Sequence, residues 1–149
     1  LFADMDHCEE YMHELVDHHV SGQLKVAPEH SQVTVLEKMG KPGNKDLLLF
    51  KDKFDSFSKS TGKNQYLTYY MIAAHPGCSE SDMRKLKEFS SKKLNIQPEQ
   101  VQIFTPTPST YSTLMYYTEK DPFSNEPIFV EKDPQRKQKQ KQIIVQKNG

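Results

Sequence analysis

The chain has 149 residues, with 20 basic and 20 acidic side chains and a formal net charge of +0. This balance excludes a global field that would recruit nucleic acid or an anionic membrane, so such binding would have to be local. Hydrophobic residues make up 35% of the chain, below the roughly 45–50% apolar share of ordinary globular domains, which predicts a thin core. The length suits one domain but is short of the about 200 or more residues of a complete α/β barrel.

Neither a membrane span nor a secretory signal is predicted. No run approaches the about 18 apolar residues of a spanning helix, and the N-terminus lacks the basic and apolar regions of a signal peptide. Cys8, Cys78 and the six histidines lack the spacing of zinc or redox motifs. We expect a cytoplasmic protein without a metal site. Because the chain opens on Leu1 and runs directly into ordered-looking sequence, we also expect a piece of a longer protein.

Apolar periodicity, bounded by glycine and proline, predicts an alternation of helices and strands. In chain order the predicted elements are helix 6–20, strand 23–27, helices 31–39 and 44–62, strand 66–74, helix 79–95, strand 100–104 and a helix over Leu114 and Met115 that Pro122 closes. Residues 127–131 are a candidate for a short extra strand. The polar and basic sequence from Asp133 onward predicts a peripheral helix or a frayed tail.

This alternation is typical of βαβ units, in which the strands are parallel. We therefore predict an α/β fold, about half of a (β/α) barrel, with three parallel strands and helices packed outside. Chemistry in such folds sits at the carboxyl ends of the strands, where the connecting loops converge. This arrangement places three segments on one rim: APEH at 27–30, AHPGC at 74–78 and TPTPST at 105–110.

Three sequence strings around this rim resemble radical S-adenosylmethionine (SAM) proteins. HHVSGQLKVAPEH at 18–30, IAAHPG at 72–77 and FTPTPSTYSTLMYY at 104–117 follow the order of the fourth, fifth and sixth strand-and-helix units of that family. They are most similar to its YgiQ-like branch. The resemblance implies that 1–121 form the C-terminal half of a TIM-barrel-like (β/α)6 radical SAM domain. It is weakest after Asp121, and 122–149 would add the extra strand and the basic helix or tail.

The resemblance also implies a chemistry that this chain cannot complete alone. In that family a CxxxCxxC motif holds a [4Fe–4S] cluster, SAM chelates its fourth iron, and cleavage of SAM gives a 5′-deoxyadenosyl radical. Thiolates hold such clusters, and the chain has only two cysteines. The iron–sulfur cluster would bind to the intact protein and not to this fragment. The implied partners are SAM, a substrate that the sequence does not identify, and the rest of the parent chain.

The same resemblance assigns SAM-binding positions at each strand end, without naming a catalytic residue. They are Glu29, His30 and Ser31 at the first strand end, His75, Gly77 and Ser79 at the second, and Phe104, Thr105 and Pro106 at the third. Hydrogen-bond acceptors at the first strand end suit the ribose hydroxyls and the amino group of SAM. Glycine at the second lets backbone approach adenosine closely, and the apolar third end would receive adenine. The alternative for the two histidines is a structural role, with each ring bonding a loop carbonyl.

A second interpretation is a nucleic-acid module. Gly40-Lys41-Pro42-Gly43 lies between two predicted helices, as does the GxxG loop of KH domains that clamp single-stranded nucleic acid. The basic residues Arg136, Lys137, Lys139 and Lys141 would add to such binding. Against it, Pro42 removes a backbone N–H that the loop would direct at phosphate, and the downstream sequence alternates strand with helix. The barrel fragment is therefore the favoured interpretation.

Overall fold

A computed structural model of the chain describes residues 5–146 and the side chains of residues 9–146. In chain order its elements are α1 (Met5–Glu14), β1 (Gln23–Glu29), α2 (Val33–Lys38), α3 (Asn44–Ser60), β2 (Tyr66–Ala73), α4 (Glu80–Phe89), β3 (Gln100–Ile103), α5 (Tyr111–Thr118) and α6 (Pro134–Val145). Single π-helical turns, Leu15–His19 and Ser90–Leu94, extend α1 and α4. No helix within residues 5–146 is long and apolar enough to cross a membrane.

The three strands form one parallel sheet in the order β1-β2-β3. Val26 of β1 lies opposite Tyr69 of β2, and Ile72 of β2 lies opposite Gln102 of β3. The register of β1 shifts between Val26 and Glu29, where the strand ends in an irregular turn. The predicted α/β class, with a three-stranded parallel sheet flanked by helices, is confirmed.

One face of the sheet carries the core. Alternate residues of β2 are buried there, namely Leu67, Tyr69, Met71 and Ala73. The helices contribute apolar side chains to the same cluster, among them Met12, Phe50, Phe54, Met83, Leu86 and Ile144. Full burial of such a side chain contributes about 1.5–3 kcal/mol to folding. The apolar side chains that recur along the helices in the sequence therefore pack together against this one face of the sheet.

The opposite face, which we call the open face, is mostly polar, with Ile72 of β2 as an apolar residue opposite Gln102. Its residues Gln23 and Lys25 of β1 and Gln102 of β3 are exposed, and Thr68 and Tyr70 of β2 are half-buried. The side chain of Gln23 donates to the Thr68 hydroxyl at 2.8 Å, and the Tyr70 hydroxyl donates to Gln102. Parallel sheets normally have apolar residues on both faces. The sheet therefore presents an ordered polar surface below the ends of its strands.

Over the described residues after Asp121, the structure lacks the predicted extra strand but has the predicted peripheral helix. Over 127–131 the structure has a single antiparallel bridge, Lys120 to Pro127, and no longer strand. Pro127 has no N–H to extend a ladder. The basic segment after it is an ordered helix, because Asp133 accepts from the Arg136 N–H at 2.9 Å and Pro134 occupies the first turn. This helix, α6, packs against α4 and β3.

Candidate functional site

The carboxyl ends of the three strands meet at one edge of the sheet. Glu29 at the end of β1 lies opposite Met71 of β2, and the Phe104 N–H, just past β3, donates to the Ala73 carbonyl at 2.8 Å. The segments that follow the strands are therefore neighbours. We call them the rim, and they comprise residues 29–31, 74–79 and 104–106.

The backbone leaves β1 and β2 through left-handed residues. Glu29 has φ 66° and Ala74 has φ 58°, in the region that residues with a Cβ rarely adopt. Each such residue costs of order 1–3 kcal/mol and persists only where its surroundings hold it, often at functional sites. Gly77 has φ 85°, and a Cβ there would lie 2.6 Å from Cδ of Lys38. The second rim segment therefore tolerates no side chain at Gly77 without rearrangement.

At the first strand end, Glu29 is the residue that remains accessible. Its carboxylate lies 3.0 Å from Nζ of Lys41, which also donates to the Ala27 carbonyl at 2.7 Å. Ser31 is buried, and its carbonyl accepts from the side chain of Asn44. The N-cap of α2 is Gln32, so this helix begins at Val33 and not at residue 31 as predicted. The Asn44 side chain holds the Ser31 backbone.

His30 is only 1% exposed and uses both of its ring nitrogens within the chain. Nδ1 accepts from the Gln32 N–H at 3.0 Å, so the neutral ring carries its proton on Nε2, which lies 3.5 Å from Sγ of Cys78. Burial lowers the pKa of His30 to about 4 and raises the pKa of the Cys78 thiol to about 12. Both groups are therefore neutral near pH 7, and the pair is not a nucleophilic thiolate–imidazolium couple.

His75 connects the second strand end to the third. It is 3% exposed, its Nδ1–H donates to the Pro76 carbonyl at 2.9 Å, and its Nε2 accepts from the Ser112 hydroxyl at 2.8 Å. The ring of Phe104 packs edge-on against it, with centroids 5.0 Å apart. Burial is the main cause that lowers the pKa of His75. The neutral His75 ring therefore connects the segment after β2 to the segment after β3. The sequence did not indicate that Ser112 is its partner.

Ser79 begins α4 as predicted and forms a capping box with Asp82. The Ser79 N–H donates to the Asp82 carboxylate at 2.9 Å and its hydroxyl donates to the same carboxylate at 2.6 Å. Burial is the largest single influence on the pKa of Asp82 and raises it, but the hydrogen bonds from Ser79 and nearby positive charge, chiefly that of Lys85, together hold that pKa below its ordinary value. Ser79 is therefore occupied with the helix terminus.

The third strand end is the most accessible part of the rim. The half-buried ring of Phe104 lies between His75 and Tyr116, with its centroid 5.8 Å from that of Tyr116. Thr105 is exposed, and its backbone N–H forms no hydrogen bond with another described residue. Pro106 is half-buried beside it. At this strand end, the apolar side chains of Phe104 and Pro106 therefore lie next to the backbone N–H of Thr105.

A side chain that the sequence did not reveal completes the second rim segment. Gln140 of α6 is 1% exposed, accepts from the Ala74 N–H at 3.0 Å and donates to the Cys78 carbonyl at 3.2 Å. In the sequence it is one of several glutamines in a polar, basic run. The apolar residues of this run are Ile143, Ile144 and Val145, and none of them marks Gln140 as a buried side chain.

The geometry of the Gly40–Gly43 loop does not favour a phosphate clamp. The Gly40 N–H donates to the Glu37 carbonyl at 3.0 Å, and the Lys41 N–H to the Leu36 carbonyl at 2.9 Å. The charge of Lys41 is balanced by Glu29. Two basic residues of α6 also have partners. Lys137 donates to the Tyr116 hydroxyl at 2.8 Å, and Lys139 lies 2.9 Å from the Glu80 carboxylate.

The described residues do not suit an iron–sulfur cluster. Among them, no group of three or more histidine, cysteine or acidic side chains is placed to hold a metal ion. Cys78 is buried and its thiol stays protonated near pH 7. The side chain of Cys8 lies outside the described residues. A cluster would need ligands beyond those that the described residues provide.

Over almost all of its length the chain is similar to proteins of bacteria and archaea. It is 58% identical over 92% of its length to a UPF0313 protein of Fusobacterium nucleatum, and 46% identical over 91% to one of Methanosarcina acetivorans. A UPF0313 protein of Clostridium perfringens is 44% identical over 99% of the chain. The chain corresponds to a segment of UPF0313 proteins. It spans 24%, 18% and 22% of the lengths of these three relatives.

Within this UPF0313 segment, residues 99–148 match a family model described as "Domain of unknown function (DUF3362)". The matched residues include β3, α5 and α6. Because β3 pairs with β2, this part of the chain shares the sheet with the residues before it. Phe104, Ser112 and Gln140 all belong to the matched part, so it contributes directly to the rim.

Proposed function

We propose that this UPF0313 segment forms part of the SAM-binding rim of a radical SAM enzyme, whose [4Fe–4S] cluster is held by cysteines elsewhere in the parent protein. The observation that supports this most is the convergence of three strand-end segments, in the chain order that the sequence resemblance implies. Open α/β sheets bind ligands at the carboxyl ends of their strands. Together, SAM and the cluster would supply the radical chemistry, and residues of this chain would bind and orient the cofactor.

The accessible residues of the rim fit parts of SAM. Phe104 and Pro106 offer an apolar surface for adenine, and the unpaired N–H of Thr105 offers a donor to the edge of the base. The carboxylate of Glu29 can accept from ribose hydroxyls or from the amino group of the methionyl part. These residues are the ones that we assign to direct contact.

The remaining predicted positions support the rim and do not bind the cofactor through their side chains. His30 and His75 use both ring nitrogens for partners within the chain, and Ser79 is occupied by Asp82. Ser31 is buried. We therefore propose that they hold the strand ends in place, while the missing Cβ at Gly77 leaves room for the side chain of Lys38 to pack against the turn.

The substrate side of the proposed site is the open face. It begins below the rim and carries Lys25, Thr68, Tyr70 and Gln102. When a parallel sheet closes into a barrel, one of its faces lines the interior. A polar lining that includes one lysine suits a polar substrate better than an apolar one.

Binding of SAM to the full-length parent protein tests this proposal. Phe104→Ala and Glu29→Gln should each weaken SAM about tenfold in isothermal titration, because each removes about 1–1.5 kcal/mol of packing or charge-assisted hydrogen bonding. Tyr117→Ala, at an exposed aromatic residue of α5, is the matched control and should bind SAM as the wild type does. Unchanged affinity in both rim variants would contradict the proposal.

A further inference from the structure

The turn between β2 and α4, residues 74–78, is held by the part of the chain that matches the domain of unknown function. Four hydrogen bonds, made by three residues of that part, connect the turn to it. Gly77 N–H donates to the Phe129 carbonyl at 2.7 Å, Ser112 donates to Nε2 of His75 at 2.8 Å, and Gln140 bonds both ends of the turn. The turn lies between β2 and α4, yet its position depends on residues from 99–148.

Gln140 makes the most specific of these contacts. Its Oε1 accepts from the Ala74 N–H and its Nε2 donates to the Cys78 carbonyl, so one planar amide spans the turn. Ala74 is left-handed, at φ 58°, and the turn also contains the Cys78 N–H to His75 carbonyl bond at 2.8 Å. Only asparagine and glutamine carry a donor and an acceptor on one such group, and glutamine reaches further.

The helix that carries Gln140 is fixed by contacts of its own. Ile144, one turn later, is fully buried in the core, and Lys139 pairs with Glu80 at the start of α4. Asp133 caps the first turn of the helix. The amide of Gln140 is therefore placed by the helix before it meets the turn, as a positioning group must be.

We propose that Gln140 is the positioning residue of the turn 74–78, and that α6 thereby belongs to the site. The amide holds Ala74 in its left-handed conformation and fixes the Cys78 carbonyl, so that His75 and Gly77 keep their places on the rim. Its effect on SAM binding rests on the proposed function above, whereas its effect on the turn does not. Helix α6 thus packs into the core through Ile144 and positions the turn through Gln140.

Hydrogen exchange of the full-length parent protein tests the effect on the turn. Gln140→Met has a similar length without donor or acceptor, and Gln138→Met, at an exposed position of the same helix, is the matched control. Peptides that contain residues 74–78 should exchange tenfold or more faster in Gln140→Met, with protection of α3 unchanged. Gln138→Met should match the wild type. Wild-type protection of the turn in Gln140→Met would overturn the inference.

A second variant keeps the test informative if Gln140→Met does not fold. Gln140→Asn keeps the amide donor and acceptor but is one methylene shorter and cannot reach both ends of the turn, so a partial loss of protection confined to the turn is expected. Loss of protection spread evenly over the chain would overturn the inference, because it would show that Gln140 supports the whole fold.

The affinity for SAM, measured on the same proteins, separates this inference from the proposed function. A loosened turn with SAM bound tenfold or more weakly supports both. A loosened turn with unchanged SAM affinity supports the positioning role and contradicts a cofactor site at this turn. An unchanged turn overturns the positioning role, whatever the SAM affinity.

Discussion

Buried imidazoles couple the stability of this chain to pH. Burial is the main cause that lowers the pKa of His30 from 6.5 to about 4. In the unfolded chain this ring takes up a proton near pH 6.5, whereas in the folded chain it stays neutral down to about pH 4. Between these values the unfolded state binds more protons, so acidification destabilises the fold. The lowered pKa of His75 acts in the same direction.

Unfolding by urea at two pH values tests this coupling. From pH 8 to pH 5, the His30 contribution should lower the free energy of unfolding by about 2 kcal/mol. His30→Gln should lose this part of the dependence, whereas His18→Gln, at an exposed histidine, should retain it. Identical pH dependence in His30→Gln and the wild type would show that His30 is not held neutral by burial.

Among the rim residues, Gly77 is the one whose substitution should strain the backbone most directly. Gly77→Ala should destabilise the chain by about 1–2 kcal/mol, because its φ of 85° is unfavourable for a residue with a Cβ. The new Cβ would also displace Lys38. Gly22→Ala is the control, since no atom lies within 4 Å of its added Cβ. A thermal melt of Gly77→Ala equal to that of the wild type would contradict the assigned backbone conformation.

At the scale of elements, the sequence predicted the strands and most helices because local signals mark them. Gly40 and Gly62 stop helices with φ of 65° and 68°, and Ser79 caps α4. The partners of the rim side chains could not be predicted in this way. His75 meets Ser112 and Ala74 meets Gln140 across 37 and 66 positions of the chain. Such pairs depend on packing and leave no local pattern.

Helix α6 is an integral part of the fold, and one substitution tests this directly. Ile144→Ala should lower the free energy of unfolding by about 2–5 kcal/mol, the usual cost of removing a fully buried branched side chain. Its neighbour Ile143 is half-buried, so Ile143→Ala should cost less. Equal, negligible effects of both in chemical denaturation would show that this segment is a frayed tail.

At the scale of the whole molecule, the low apolar content of the sequence has a structural reason. Only one face of the parallel sheet is buried against helices, whereas the open face carries glutamine, lysine, threonine and tyrosine. The composition indicated a thin core. It did not indicate that one sheet face would be left polar, because this depends on which strand positions share a face.

The sheet also has two outer edges, on β1 and β3. Unpaired strand edges tend to recruit other strands, so the 149-residue chain on its own should self-associate or be marginally stable. Sedimentation velocity over a range of concentrations should show species larger than the monomer, or a thermal melt should show a low midpoint. A strictly monomeric chain with a cooperative, high-temperature melt would contradict this expectation.

The proposed contact between the rim and SAM is tested most directly by hydrogen exchange of the cluster-loaded, full-length parent protein, measured with and without SAM. We expect SAM to slow exchange in peptides that contain residues 104–106, where the Thr105 N–H is unpaired, and residues 29–31. Exchange in α3, on the core face, should stay unchanged. Protection elsewhere in the parent protein, with no change at either rim segment, would contradict the claim.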